Sequence, residues 1–300
     1  MKWLVCVLLM ASSSASSFVS AQNNSPDVKS PIVVPSTVNS DWILSLNIKV
    51  PTYAKDSKDQ YISNCAAVLV KPGIALTAAH CVKNYCQQIG TCEYKVTQGR
   101  SLESQQGVGK IIRFGKHPAY NMPTGDEFSY DVAYIVLDVI TTGRLASISL
   151  NNANENDLGV ILGWGKTGIK NSSGVDKMNT VLNMGSASVA KADKCHDAFK
   201  FKYSSESTFC TEPVNKSEAC AGDSGGPLIL SSTLETDVPI LLGIAKYESQ
   251  DCDKPTKGFS AYTQASALKV LVAVASDKQA EYFAGIPKTS SYGNVKFLLK

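Results

Sequence analysis

The sequence predicts an all-β fold of two β domains, barrel or sandwich, with a helix at the C-terminal end. Three observations carry this. Short apolar runs recur between turn signals from Trp42 onward. A polar stretch, Asn151 to Asp157, divides the chain of 300 residues near its middle, where two units of ~150 residues would meet. Ser266 to Ala284 then changes character, being rich in Ala, Leu, Lys and Val with few breakers, and reads as a helix, or a helix plus an extension, packed on the second domain.

Each run can be placed in order. Trp42 to Ile48 is the first, and Ala66 to Val70 the second, closed by Lys71-Pro72-Gly73. Ile74 to Thr77, Gly109 to Phe114 and Val132 to Leu137 complete the first half. The second half holds Val160 to Trp164, Thr180 to Val189, Pro227 to Leu230 and Ile240 to Tyr247. Pro287 to Asn294 is turn-rich, and residues 276–300 read as a C-terminal extension on the surface.

Composition narrows the function classes. Hydrophobic residues make up 44% and charged residues 18%, an ordinary globular balance. The formal net charge is only +3, without a long basic run, which argues against a nucleic-acid partner. At the start, Lys2 precedes a short apolar run, and a Ser/Ala stretch ends Val19-Ser20-Ala21. This predicts a signal peptide over residues 1–21, a secreted protein, and a loose propeptide over 22–31. The apolar run is too short for a bilayer, which needs ~20 residues, so no membrane anchor is expected.

Removing the signal peptide takes away Cys6 and leaves Cys65, Cys81, Cys86, Cys92, Cys195, Cys210, Cys220 and Cys252. An even number in an exported chain reads as disulfides, although eight cysteines allow 105 pairings. Neither a Cys-x-x-Cys pair nor a His stands at zinc spacing beside Cys86 and Cys92, so no metal is expected. Asn23, Asn171 and Asn215 each open a glycosylation sequon.

The sharpest motif is Gly222-Asp223-Ser224-Gly225-Gly226-Pro227-Leu228. A serine between glycines can expose its hydroxyl on a tight turn, and glycine lets backbone N–H groups crowd towards a substrate oxygen. Thr77-Ala78-Ala79-His80-Cys81 closes a β run. Only three histidines exist, and the side chain suits proton relay near neutral pH. His117, before a proline, and His196, beside a cysteine, have no comparable setting. Asp131 opens an apolar run and is costly to bury unpaired. With His80 and Ser224 present, it reads as a carboxylate that orients the imidazole.

These three segments, in the order His, Asp, Ser, resemble the trypsin/chymotrypsin-like serine peptidases. The resemblance extends to His117-Pro118-Ala119-Tyr120-Asn121, to Ala146 to Leu150 and to Gly163-Trp164-Gly165, and covers roughly Ile32 to Ala275. It implies two antiparallel β-barrels, about 32–150 and 151–275, packed together with the active site in the cleft between them. It implies that Ser224 is the nucleophile, His80 the general base and then acid, and Asp131 the residue that holds the tautomer. The N–H groups of Gly222 and Ser224 would form the oxyanion hole. Asp223 would pair with a new N-terminus after activation. The family pattern pairs Cys65–Cys81, Cys195–Cys210 and Cys220–Cys252, leaving Cys86–Cys92 as a local loop bridge. The resemblance further implies a protein or peptide substrate, protein inhibitors as partners, a monomer, and no cofactor.

The chain also departs from that family. Where Ile-Val-Gly-Gly usually begins the mature domain, it reads Ile32-Val33-Val34-Pro35. A trypsin-type cut would more easily follow Lys29 and leave Ser30 as the new end. Glu218 falls where trypsins carry an Asp at the pocket floor, favouring substrate Arg or Lys, or else points to solvent beside the Asn215 sequon. The pocket wall, usually Ser-Trp-Gly, reads Lys246-Tyr247-Glu248. Lys246 could pair with Asp131, and Glu248 could narrow the mouth or attract basic substrates. The sequence therefore predicts a secreted serine endopeptidase, with a catalytically impaired binding or inhibitor protein on the same fold as the alternative.

Overall fold

A computed structural model describes residues 32–50, 60–82, 94–120, 129–170, 176–199, 204–214, 219–248 and 258–284. The chain enters with β1 (Ile32–Val33). Seven strands follow and form one sheet: β2 (Ile43–Val50), β3 (Gln60–Lys71), β4 (Ile74–Thr77), β5 (Tyr94–Gln98), β6 (Gln106–Gly109), β7 (Ile111–Lys116) and β8 (Ala133–Leu137). Their order is β6-β5-β2-β3-β4-β8-β7, with antiparallel neighbours. The sheet curls until Tyr94 on β5 meets Phe114 on β7 edge to face, at 5.3 Å between ring centroids. The apolar run from Gly109 to Phe114 is split in two. Gly109 turns with φ 147°, and Lys110 bonds both ways with Asp138 between β6 and β7.

The second half supplies β9 (Ser147–Ile148), β10 (Leu158–Gly163), β11 (Lys166–Lys170), β12 (Asp176–Met178), β13 (Asn183–Val189), α1 (Ala192–Phe199), β14 (Thr208–Val214), β15 (Pro227–Leu230), β16 (Ile240–Glu248), β17 (Ser260–Gln264) and α2 (Ala265–Phe283). The order is β1-β13-β10-β15-β16-β17-β14, and β14 returns to pair with β13, so this sheet closes on itself. The fold is thus two antiparallel β-barrels, as expected. β9 pairs with β16 in parallel, so the second barrel takes a strand from before Asn151, and β1 adds another from the chain's start.

Alternation explains the double burial of β10. Val160 and Leu162 join the large core shared by both barrels, while Ile161 joins a second cluster with Phe209, Leu228 and Tyr262. Trp164 is buried in the shared core, and its indole N–H donates to Arg100 O at 3.0 Å, tying the barrels at one end.

The expected helix is present and touches β9, β16 and β17 of the second barrel, but that is not its main seat. α2 packs chiefly on β4 and β8 of the first. All five residues of β8 are buried, so a strand apolar on both faces needs an outer cover. Leu268, Leu271, Val272 and Ala275 provide it. Lys71 Nζ donates to Ser276 Oγ at 3.0 Å, and Gln279 Nε2 donates to Pro72 O at 2.8 Å, which pins the helix to the β3–β4 turn. Among the described residues no helix is long and apolar enough to cross a membrane.

Two disulfides join Cys65 to Cys81 and Cys195 to Cys210. Cys220 is also disulfide-bonded. Its expected partner Cys252, like Cys86, Cys92, Asn23, Asn171, Asn215 and the expected signal peptide and propeptide, lies outside the described residues.

Leu268→Ala should lower unfolding free energy by about 2–5 kcal/mol in urea titrations, because Leu268 has no exposure and its loss leaves a cavity between helix and barrel. Val270→Ala on the same helix, 37% exposed, should change it by no more than about 0.5 kcal/mol.

Candidate active site

The site lies along the seam of the two barrels. β3 and β4 bring His80 to it through a short 3-10 turn, Ala79–Cys81, that ends β4's hairpin arm. The Cys65–Cys81 disulfide ties that turn back to β3. Cys65, His80 and Cys81 are the one group of metal-ligating residue types that cluster among the described residues, but both sulfurs are spent in the disulfide.

Asp131 immediately precedes β8 and is fully buried. Its Oδ1 accepts the His80 backbone N–H at 2.9 Å, and its Oδ2 lies 2.7 Å from His80 Nδ1. Its carbonyl oxygen accepts from Thr263 Oγ1 of β17 at 3.0 Å, so the second barrel grips the aspartate's backbone. Tyr120 stands near: burial, and secondarily the negative charge of Asp131, push its phenol up to about 12 and keep it neutral.

Ser224 comes from the turn before β15. The Ala66 N–H of β3 donates to Ser224 O at 2.8 Å, which docks the serine on the first barrel beside the cysteine that is bonded next to His80. Gly225 makes that approach feasible. Its φ is 80°, and a Cβ there would come within 2.3 Å of both Ala66 O and Thr77 Oγ1. Thr77 Oγ1 itself donates to Ala66 O at 2.7 Å. Gly222 also has positive φ, 101°. Around it the turn bonds inwards: Asp223 N to Cys220 O, Gly226 N to Asp223 O, and Gly225 N to Ala245 O, each 2.8 Å. The N–H groups of Gly222 and Ser224 donate to no acceptor among the described residues. No hydrogen bond joins Ser224 Oγ to His80 Nε2, which lies 3.7 Å from Cys81 Sγ. Such bonds commonly tighten only when substrate fills the site.

Asp223 is turned into the second barrel. Oδ1 accepts from Gly165 N at 2.8 Å and Oδ2 from Cys220 N at 2.9 Å. Burial pushes its carboxyl up to about 6, against the pull of those two N–H groups. Gly163 and Gly165 are small by necessity, since a Cβ on either would strike the carboxylate. Ile32 is half-exposed on β1, paired with Met184.

The segment expected to form the pocket wall lies at the end of β16. Lys246 is buried, and its Nζ donates to Thr208 Oγ1 at 2.5 Å, so its ammonium turns to β14 rather than to Asp131. Tyr247 packs edge to face on Phe199 of α1 at 5.8 Å. Glu248 pairs with Ser260 across β16 and β17. Ser260 Oγ accepts from Ala219 N at 3.2 Å, one residue from Glu218, which lies outside the described residues. Ser260, Thr263 and Thr208 were not legible as site residues, because their roles depend on the registers of β14 and β17. Thr77 carried a signal: it opens the motif that ends in His80 and Cys81.

A family model described as trypsin matches residues 36–271. The chain belongs to the trypsin family. It is 29% identical over 204 residues to kallikrein-8 of Mus musculus, covering 64% of this chain and 70% of that one. Seminase of Drosophila melanogaster is 28% identical over 244 residues, with 76% and 83% covered. A solved structure of neuropsin, described as a serine protease expressed in the limbic system of mouse brain, superposes with a TM-score of 0.59 at 25% identity, covering 79% of this chain and 95% of that one. This trypsin-like chain is accordingly a serine-type endopeptidase by family.

Asp223 gives a pH signature. Its folded value, about 6, lies above its ordinary 3.8, so ionising it is harder in the fold than in the unfolded chain. Its contribution to stability is full below pH 3.8 and is lost as pH rises through about 6, by up to about 3 kcal/mol. Urea unfolding of the uncleaved protein between pH 4 and 8 should show that decline, and the difference curve against Asp223→Asn should isolate it.

Proposed function

We propose that this protein is a secreted serine endopeptidase that cleaves peptide bonds through an acyl-enzyme, with Ser224, His80 and Asp131 as its triad. The observation that carries the reading is the seam itself. A buried carboxylate bonds His80 Nδ1, Ala66 of the same barrel docks the backbone of Ser224, and the N–H groups of Gly222 and Ser224 donate to no acceptor among the described residues. With Asp131 accepting at Nδ1, the ring proton sits there and Nε2 keeps its lone pair for the Ser224 hydroxyl. As Ser224 Oγ bonds to the scissile carbonyl carbon, its proton passes to Nε2, and the carbonyl oxygen gains negative charge. The N–H groups of Gly222 and Ser224 are free to receive that oxyanion, a contribution of several kcal/mol in such sites. His80 then gives the proton to the leaving amine, and water repeats the sequence to release the acid.

Specificity for Arg or Lys is assigned to Glu218 and Glu248, whose carboxylates would favour a basic substrate side chain. The bond from Ala219 N to Ser260 Oγ anchors the segment next to Glu218. Secretion is supported by the disulfides Cys65–Cys81 and Cys195–Cys210, which persist in oxidising compartments. Protein inhibitors and a monomeric state follow from the same reading.

Activation has a geometric basis. Val33 pairs with Asn183, and Asn183 with Gly163, where Asp223 packs. The carboxylate therefore lies about 10 Å across the sheet from β1, two strand spacings away. A cut before Ile32 would release an ammonium two strands from a carboxylate that meets no cation among the described residues, while a cut after Lys29 would leave two further residues before Ile32.

A fluorophosphonate probe should label the wild type and not Ser224→Ala, and Asp131→Asn should cut kcat about 10⁴-fold. Absence of labelling after cleavage at either position would overturn the peptidase reading and leave the binding protein. Profiling cleaved peptides should show Arg or Lys before the cut, lost in Glu218→Ala.

A further inference from the structure

Tyr130, immediately before Asp131, adopts φ 54°. The only other non-glycine with positive φ among the described residues is Asn156, a residue type at ease there. A tyrosine is not, and such a conformation persists only where its surroundings enforce it. The chain then folds back on itself. Val132 N donates to Tyr130 O at 2.7 Å, which makes Asp131 the centre of a three-residue turn. That reversal, with Thr263 bonded to the Asp131 carbonyl, is what aims the carboxylate at His80 instead of along β8.

What enforces the turn is a ring stack. The imidazole of His117 lies on the Tyr130 ring, 4.5 Å between centroids and 10° from parallel. His117 is itself immobilised. Its N–H donates to Val132 O at 2.9 Å, its carbonyl accepts from Tyr120 N at 2.9 Å, and its Nδ1 accepts from Ala119 N at 3.2 Å. An Nδ1 that accepts leaves the ring neutral, and burial lowers its basicity to about 4 in keeping with that. Three of these groups, His117, Tyr130 and Val132, thus brace the residue between them.

We propose that His117 and Tyr130 are positioning residues, a stacked clamp that holds Tyr130 left-handed and thereby aligns the Asp131 carboxylate with His80. Neither touches substrate or a reacting atom. The proposal rests on the triad reading above, and goes beyond it in assigning a role to two residues outside the triad.

The test compares Tyr130→Ala, Tyr130→Asn, His117→Ala and His117→Phe in the full chain. Tyr130→Ala and His117→Ala, corrected for active sites by probe titration, should lower kcat about 10- to 100-fold with KM little changed, as a misplaced catalytic group does. Their acid limb of kcat/KM should move to lower pH, because the imidazolium loses its carboxylate. Tyr130→Asn, which takes the left-handed conformation without a stack, should recover kcat to within about threefold of wild type. His117→Phe, which keeps a flat ring but not the bond to Ala119, should recover similarly and so separate the stack from that bond. A merely structural role would reduce the titratable fraction without moving the pH limb. Proton NMR of the His80 Nδ1–H provides a readout that needs no turnover: the low-field signal should be present in wild type and Tyr130→Asn and lost in Tyr130→Ala. If Tyr130→Ala keeps wild-type kcat, pH limb and NMR signal, the clamp is overturned. If wild type does not turn over but the NMR pattern holds, the clamp stands and the catalytic reading falls.

Discussion

The hydrogen bond from Ala66 N–H to Ser224 O is the constraint on which the site depends. It crosses from one barrel to the other, so neither half can present the serine to His80 by itself. Its length requires close backbone approach, and Gly225 is the residue that permits it, with Ala66 O and Thr77 Oγ1 where a side chain would begin. The Cys65–Cys81 bridge then links the strand that receives Ser224 to the turn that carries His80. Thr263 completes the seam from the opposite side by holding the backbone of Asp131. Segments far apart in the sequence, 132 residues for Asp131 and Thr263, thus share one rigid frame, and that frame is the shared apolar core on which both barrels close.

Two buried carboxylates show how the same fold handles one physical problem in two ways. Asp131 is fully enclosed, and both of its oxygens are directed at His80, one at the backbone and one at the ring. Asp223 is given two backbone N–H groups and, among the described residues, no cation, and burial raises its carboxyl to about 6. A buried carboxylate with partial compensation is a stored cost, and it makes the uncleaved chain responsive to any positive charge brought to that place. The glycines on either side of Trp164 exist for it, since each would otherwise collide with the carboxylate.

Much of the fold was legible because its signals are local. Runs such as Ile74–Thr77 and Pro227–Leu230 became strands with the expected limits, since turn residues bound them on the chain. Other elements gave no such signal. β17 reads Ser260-Ala261-Tyr262-Thr263-Gln264 and is entirely buried although three of its five residues are polar; the side chains of Ser260, Thr263 and Gln264 bond to the backbones of Ala219, Asp131 and Thr208. α1 is short and charged, with only Cys195 and Phe199 buried, and needs the Cys195–Cys210 bridge to make it evident. α2 was evident as a helix on the second barrel but not in its larger contact with the first. Helical period says which face is apolar, not which uncovered strand will meet it, and here that strand was β8.

The sequence by itself determined the family and the two β units, and it singled out His80, Asp131 and Ser224 as candidates, because each sits in a short motif whose residue types are constrained by chemistry. Tertiary structure alone decided how the barrels meet, that Lys246 turns to Thr208 rather than to Asp131, that Thr263 supports the aspartate, and that Tyr130 is held left-handed by His117. Those outcomes depend on strand register and on contacts between residues far apart in the chain. A shift of one residue in β16 or β17 would carry a side chain to the opposite face, and no local pattern records which register the packing of two closed sheets will select.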